Sequence, residues 1–429
     1  MSATPLLLPF CCPCSAVIAC ARPSFDGTTS LAPPRSPSLS SALISPLPAV
    51  WPWDMVNAGP LKVSPMGFGT WAWGNKFLWG YENTMDESLQ EAFNFAVQKG
   101  VNLFDTADSY GTGKLNGQSE LLLGRFVEEF PECFEGCVGA GLCIKSSIMK
   151  RSTMYIASVG SAQLHYGSMI QYEICFLPSG SEWSQKQIII ASKFAAYPWR
   201  ITAGQIVEAC KASLKRLKMK QLGIGQLHWS TANYAPLQER VLWDGLVAMH
   251  KEGLVKAVGV SNYGPKQLLR IYDFLEKKGV PLISAQVQFS LLSMGTNQMT
   301  IKSICDNLGI TLIAYSPLGL GMLTGKYSYS TLPNGPRSLL FKQIMPGIEP
   351  LLQSLGLTSR RRRKTMSQVA LNWCLCKGVI PIPGVKNINQ VKDNIGALGW
   401  RLSTDEISQL EYAAAQSPKS MVQNIFQTK

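Results

Sequence analysis

Val101-Asn-Leu-Phe-Asp105-Thr-Ala-Asp-Ser-Tyr110-Gly111 decides the fold. The apolar run 101–104 reads as a buried strand that ends in the carboxylate of Asp105, with Tyr110 five residues further on. Just upstream, Leu89, Ala92, Phe93, Ala96 and Val97 share one helical face, and Gly100 stops the helix. Thr84-x-x-Glu87 has the form of a capping box at its start. A further helix is predicted over 119–129. A strand that closes on a carboxylate, with a tyrosine just beyond, points to a proton-donor site. Such a tyrosine needs help at neutral pH, because its ordinary pKa is about 10.

Working outward, the unit recurs. Apolar, β-rich runs at 188–192, 222–227, 255–260, 283–289, 310–315 and 379–383 alternate with helical patterns at 207–217, 237–250, 265–278, 301–308, 368–374 and 390–397. With 65–69 as the first, the chain has eight strands of buried character, which predicts a (β/α)8 TIM barrel. Barrel chemistry sits at the C-terminal ends of the strands. There the runs close on Thr70, Asp105, Lys193, His228, Ser261-Asn262, Gln286, Tyr315-Ser316 and Gly384. Taken singly, a turn tyrosine or a strand-end lysine is usually structural. Taken together, in order and each at a strand end, they describe a site.

Composition narrows the class. Hydrophobic residues make up 46% of the 429, enough for a large core, and the net charge of +13 favours anionic ligands. No basic stripe with interleaved aromatics appears, so nucleic acid is not an expected partner. No apolar run reaches the length of a membrane span. The twelve cysteines show no disulfide framework, and Cys133-x3-Cys137 lacks the second pair a zinc site needs. Arg360 to Lys364 is five consecutive cations and reads as a solvated face or loop. Residues 1–56 are rich in Ser, Pro, Ala and Leu, with Asp26 and Asp54 their only acids, and resemble an organelle transit peptide.

Several stretches together carry a family likeness: Gly67-Phe-Gly-Thr-Trp71, Phe104-Asp-Thr-Ala-Asp-Ser-Tyr-Gly111, Ser119-Glu-Leu-Leu-Leu-Gly124, Ala191-Ser-Lys193, Gln226-Leu-His-Trp229, Val258-Gly-Val-Ser-Asn262, Ala314-Tyr-Ser-Pro-Leu318 and Ile382-Pro-Gly384. In that order they resemble the aldo-keto reductase superfamily, above all its plant plastid members. The resemblance implies NADPH-dependent reduction of aldehydes or ketones to alcohols, without a metal and in the chloroplast. Tyr110 would be the general acid and Lys193 would lower its pKa. Asp105 would hold Lys193 charged, and His228 would orient the substrate carbonyl.

For the cofactor, the same resemblance implies that Ser261, Asn262 and Gln286 hold the carboxamide and that Tyr315 stacks on the nicotinamide. Gly69 and Thr70 belong to the same site. The loop from Ser316 through Leu318 and Gly321 to Lys326 would wrap the pyrophosphate, with Arg337 in support. Gly384, Lys386, Gln390 and Asn394 would take the adenosine end, Lys386 meeting a 2′-phosphate. No G-x-G-x-x-G follows a strand, which disfavours a Rossmann fold. Trp71 and Trp229 would wall the pocket for a small carbonyl substrate, whose identity is not readable. The rival readings are a cofactor-binding accessory barrel without turnover and a nonfunctional splice product.

Two stretches depart from the pattern. Gly124 and Lys193 lie 69 positions apart, where one helix end and one turn need roughly twenty residues, given αβ loops of about 2–6. The surplus, about 130–177, is predicted as an insertion or gene-model artefact entering opposite the active site. The barrel domain is then 57–429 with that interruption. In the second stretch, 355–365, the apolar period fails after Leu357, which predicts a disturbed exterior helix.

Overall fold

The computed structural model describes residues 53–113, 117–130, 142–145, 173–176, 188–421 and 424–428. The chain first forms an antiparallel hairpin, β1 (Val56–Ala58) and β2 (Leu61–Val63), with Val56 opposite Val63. Its Ala58, Leu61 and Val63 are buried against Leu103, Ala191, Ile224, Ala257, Ile283 and Ile380, the residues that fill the barrel interior. The hairpin therefore plugs the N-terminal end of the barrel, and each of its fully buried Leu or Val side chains contributes about 1.5–3 kcal/mol. Asn102 pins it: Oδ1 accepts from Ser64 N (2.8 Å), and Nδ2 donates to the Lys62 carbonyl (3.0 Å). The predicted alternation of strand and helix, which starts with 65–69, does not include this hairpin, because three-residue strands carry too little periodicity to stand out.

The barrel strand β3 (Phe68–Gly69) is followed by α1 (Lys76–Trp79), α2 (Asp86–Gln98), β4 (Leu103–Asp105) and α3 (Gln118–Glu128). The expected face of α2 is buried as predicted, and Gly100 follows its C-cap in a left-handed conformation (φ 95°). Its start differs. Thr84 lies inside a 3-10 turn, Asn83–Met85, that precedes the helix, so the cap is not the Thr84 box. A Cβ on Gly124 would come within 2.6 Å of the Arg216 carbonyl, so α3 packs on the next helix backbone to backbone.

Two strands, β5 (Leu142–Lys145) and β6 (Glu173–Phe176), pair antiparallel to each other and lie outside the barrel sheet. They are the only described part of the segment 131–177, and the rest of the expected insertion lies outside the described residues. Phe130 does not belong to an insertion. It is 5% exposed and packs edge-on to Phe93 at 6.1 Å.

The barrel resumes with β7 (Ile189–Phe194), α4 (Ala203–Leu217), β8 (Leu222–Leu227), α5 (Pro236–Lys251), β9 (Val255–Ser261), α6 (Pro265–Glu276), β10 (Leu282–Gln288), α7 (Thr296–Leu308) and β11 (Thr311–Tyr315). It ends with α8 (Arg337–Ile344), α9 (Glu349–Arg362), α10 (Met366–Cys376), β12 (Ile380–Ile382), α11 (Ile388–Ile395) and α12 (Thr404–Gln416). The eight strands β3, β4 and β7 to β12 form one parallel sheet in chain order. Gly67 N and Gly69 N donate to the Pro381 and Pro383 carbonyls (3.0 and 3.1 Å), and Gly69 bridges Gly384, so the sheet closes on itself. The predicted (β/α)8 barrel is the observed fold.

The expected disturbance at 355–365 is absent. α9 runs unbroken to Arg362 with Leu351, Leu355 and Thr358 buried. Thr358 takes the apolar slot, and Arg362 holds Glu406 of α12 through two hydrogen bonds of 2.7 and 2.6 Å. Arg363 then adopts the left-handed C-cap (φ 52°) that a glycine more often fills.

Candidate active site

The strand ends deliver the four expected catalytic side chains to one cavity of about 770 Å³ at the C-terminal mouth of the barrel. Asp105 closes β4, Lys193 is the penultimate residue of β7, and His228 follows β8 directly. Lys193 Nζ donates to Asp105 Oδ2 (2.5 Å) and to the Thr106 carbonyl (2.9 Å). Asp105 Oδ1 accepts from Gln286 Nε2 (2.7 Å) and Gln226 Nε2 (3.4 Å). Asp105 and Lys193 are 3% and 1% exposed, so the ion pair is fully desolvated. Lys193 Nζ lies 4.9 Å from the centre of the Tyr110 ring, and the rings of Tyr110 and His228 meet edge-on at 5.7 Å. Ser109 Oγ contacts His228 Nδ1 at 3.2 Å.

Burial sets the protonation states. It pushes the Tyr110 hydroxyl well above its ordinary pKa, and the Asp105 carboxylate pushes the same way. The net shift on Tyr110 is thus upward, opposite in direction to the lowering expected from Lys193. Burial pulls His228 well below its usual range, with Lys193 adding to the effect, so its imidazole is neutral. Burial also lowers Lys193, against the pull of Asp105.

Of the remaining expected residues, Gly69, Ser261, Asn262, Gln286, Tyr315, Ser316, Leu318, Gly321, Lys326, Arg337, Gly384, Lys386, Gln390, Asn394, Trp71 and Trp229 all line this cavity. Thr70 does not. It is fully buried behind the site, where Oγ1 donates to the Asp105 carbonyl (3.0 Å) and accepts from Ser119 Oγ (2.6 Å). Gln286 has a role not foreseen, since its amide N–H is committed to Asp105. The Asn262 backbone is left-handed (φ 61°), which aims its side chain inward. There Nδ2 donates to the His228 carbonyl (2.9 Å) and Oδ1 accepts from the Tyr315 hydroxyl (2.8 Å).

At the far end of the cavity lie Lys326, Arg337 and Lys386. Burial lowers the Lys386 pKa, and the charges of Arg337 and Lys326 lower it further. Among the described residues none of the three is ion-paired with a carboxylate, and the buried Arg337 Nε has no partner. The loop that leads into Lys326 turns through Leu320 and Gly321 (φ 56° and 107°), and both residues line the cavity. Three convergent cations beside a glycine-turned loop fit the phosphates of a dinucleotide. Among the described residues no cluster of three or more His, Cys, Asp or Glu could hold a metal ion, and no helix is long and apolar enough to cross a membrane.

Comparison with known proteins agrees with this geometry. The model of the Aldo/keto reductase family matches residues 65–140 and 154–415.

The chain belongs to the aldo/keto reductase family.

This reductase is 60% identical over 383 residues to the chloroplastic pyridoxal reductase of Arabidopsis thaliana, across 89% of its own chain and 92% of the relative. It is 25% identical to the probable aldo-keto reductase 1 of Glycine max, over 81% and 85% of the two chains. Among solved structures, a thermostable aldo-keto reductase in complex with epalrestat superposes with a TM-score of 0.57 at 20% identity, covering 84% of this chain and 99% of that one. The Bombyx mori aldo-keto reductase in complex with NADP gives 0.56 at 17%, over 84% and 92%. The reductase is an NAD(P)H-dependent oxidoreductase.

Sequence reasoning missed the C-terminal tail. Asn424 and Phe426 line the substrate end, and the Phe426 ring stacks on Trp229 at 4.6 Å. Thr428 is 2% exposed, accepts from Gly264 N (2.9 Å) and donates its own N–H to the Asn262 carbonyl (3.3 Å). A single phenylalanine in a short irregular tail has no periodic neighbours, so no sequence signal marked it.

Proposed function

We propose that the reductase uses NADPH to reduce an aldehyde, pyridoxal foremost, to its alcohol in the plastid. The observation that carries this is one cavity with Tyr110, Lys193, Asp105 and His228 at one end and three uncompensated cations at the other. NADPH, when held along this cavity, would supply hydride to the substrate's carbonyl carbon. Tyr110, kept protonated by burial, donates its hydroxyl proton to the carbonyl oxygen. The resulting phenolate develops beside the Lys193 ammonium, which Asp105 and the Thr106 carbonyl hold in place. With Nδ1 accepting from Ser109 Oγ–H, His228 presents Nε2–H to orient the carbonyl oxygen. Thr70 and Gln286 act on Asp105 from behind and beside it.

The strong likeness to a pyridoxal reductase supports the substrate, as do aromatic walls suited to a planar ring: Trp71, Trp229 and the stacked Phe426. The cation cluster supports NADPH over NADH, since a 2′-phosphate adds about two negative charges. Residues 1–52 are proposed as a cleaved plastid leader. The cut falls before Trp53, because Trp53 packs on the core and Val56 already pairs with Val63. Segment 131–177 is proposed as dispensable for turnover, as it enters between α3 and β7 on the face away from the strand ends. Deleting 131–177 while keeping Phe130 is expected to preserve kcat per folded molecule, and a well-folded deletion that has lost turnover refutes this.

Oxidation of NADPH by pyridoxal, followed by absorbance, tests the main reading. Tyr110→Phe is expected to lower kcat about 10²–10⁴-fold with NADPH affinity within about twofold of wild type. Undiminished turnover in this variant would overturn the assignment.

A further inference from the structure

Trp79 stands where the two ends of the cavity meet, and the hydride-transfer chemistry has no use for it. It ends the short helix α1, which Asn75 caps by accepting from Leu78 N (2.9 Å) and Gly80 closes in a left-handed turn. On one side its ring meets Trp71 edge-on at 5.7 Å, and Trp71 in turn lies 6.5 Å from the Tyr110 ring. On the other side the Arg337 guanidinium sits 4.4 Å over its ring, and its carbonyl accepts from Lys386 Nζ (3.5 Å). Its indole N–H is buried without a partner. Two of the three cations at the phosphate end are thus held against one residue whose other edge supports the substrate wall.

We propose that Trp79 is a positioning residue that couples the two ends: an anionic phosphate on Lys326, Arg337 and Lys386 tightens the Trp71 wall beside Tyr110. The inference deepens the NADPH reading and rests on it. Three like charges packed together repel, and Lys386 already registers that repulsion. The strain works against the contacts that Lys386 and Arg337 make with Trp79. A phosphate neutralises the cluster, so both contacts firm up and α1 settles. Trp71 then holds its place against an aromatic substrate. By linkage, the substrate-end ligand must strengthen anion binding by the same factor.

Calorimetry with 2′,5′-ADP tests this, because that probe fills the adenosine and phosphate end and carries no nicotinamide. The second ligand is the alcohol product of the aldehyde the reductase turns over, pyridoxine on the reading above. In wild type, saturating 2′,5′-ADP is expected to lower the pyridoxine Kd about fivefold or more. In Trp79→Ala, 2′,5′-ADP still binds but the pyridoxine Kd no longer responds to it. Trp79→Phe keeps a ring between Arg337 and Trp71 and is expected to retain the coupling within about twofold. A wild-type pyridoxine Kd indifferent to 2′,5′-ADP overturns the proposal whatever the variants do, as does coupling that survives in Trp79→Ala. Failure of 2′,5′-ADP to bind wild type removes the NADPH reading and this inference together, whereas binding without coupling removes only the inference.

Discussion

Asp105→Asn removes the charge that holds Lys193 while keeping the side chain's shape. The wild-type carboxylate receives the Lys193 ammonium at 2.5 Å and two glutamine amides at 2.7 and 3.4 Å. In the variant Lys193, 1% exposed, loses its counter-charge and keeps only neutral acceptors, the Thr106 carbonyl among them. Breaking a buried ion pair by removing one partner costs about 3–5 kcal/mol. Lysine has an escape, which is to shed its proton. Burial already pulls its pKa down, and Asp105 is the largest influence opposing that pull. The substitution therefore lowers the folded-state pKa further below the unfolded value of about 10.4. At high pH the amine is neutral in both states and the charge term vanishes. As pH falls, the unfolded chain takes up a proton that the folded variant resists, so the loss grows toward neutrality. The expected destabilisation is about 3 kcal/mol at pH 7, smaller by at least about 1 kcal/mol at pH 10. Urea unfolding at pH 7, 8.5 and 10, followed by circular dichroism, measures it. The double variant Asp105→Asn with Lys193→Met should be less destabilised than Asp105→Asn alone, since no charge is stranded. A loss that does not change with pH, or one below about 1 kcal/mol at pH 7, refutes the argument.

Three further outcomes are expected. Because burial holds His228 neutral, kcat should show no inflection near pH 6.5. A step there that disappears in His228→Gln would contradict the neutral-imidazole assignment. Arg362→Ala should cost about 1 kcal/mol at pH 7. Arg362 pulls the Glu406 carboxyl down to about 2, so the contribution is present above about pH 4.5 and fades as pH falls toward 2, and a loss of equal size at pH 2 and pH 7 argues against it. Phe426→Ala removes a stack worth about 0.5–1.5 kcal/mol on Trp229 and should raise KM for an aromatic aldehyde up to about tenfold. Thermal stability should hardly change, since the ring is 40% exposed. An unchanged KM would place Phe426 outside the substrate site.

The barrel and most of its site were legible because each strand imposes the same grammar. A run such as 222–227 is buried on both faces, and the residue that follows its end, His228, is the one placed at the mouth. That rule located Asp105, Lys193 and His228 without any knowledge of packing. It failed where function depends on how elements meet. Thr70 breaks its run on schedule, yet the hydroxyl faces the Asp105 backbone and not the cavity. The hairpin 56–63 and the tail around Phe426 are too short to carry a period. At 358–362 the lapse in apolar spacing looked like a broken helix. A buried threonine and one arginine–glutamate pair repair it, and that pairing spans 44 positions.

The largest difference between expectation and structure concerns Tyr110 itself. A neighbouring lysine predicts an acidified phenol, but desolvation, with the Asp105 charge adding to it, moves the Tyr110 pKa up. The upward shift suits a proton donor. A phenol acidified in the resting site would be partly phenolate and unable to give a proton, whereas a desolvated one stays loaded at every physiological pH. The difficulty moves to the moment the proton leaves, when charge appears in a site with little water to solvate it. Lys193, 4.9 Å from the ring centre and held by Asp105, is the preorganised charge that meets it. Such a charge acts most strongly in a low-dielectric interior. On this argument the lysine lowers the cost of the transition state far more than it shifts the resting equilibrium. Lys193→Met should then reduce kcat much more than it changes the Tyr110 pKa read by ultraviolet titration. A large shift in that titration with a small loss of kcat would reverse the assignment.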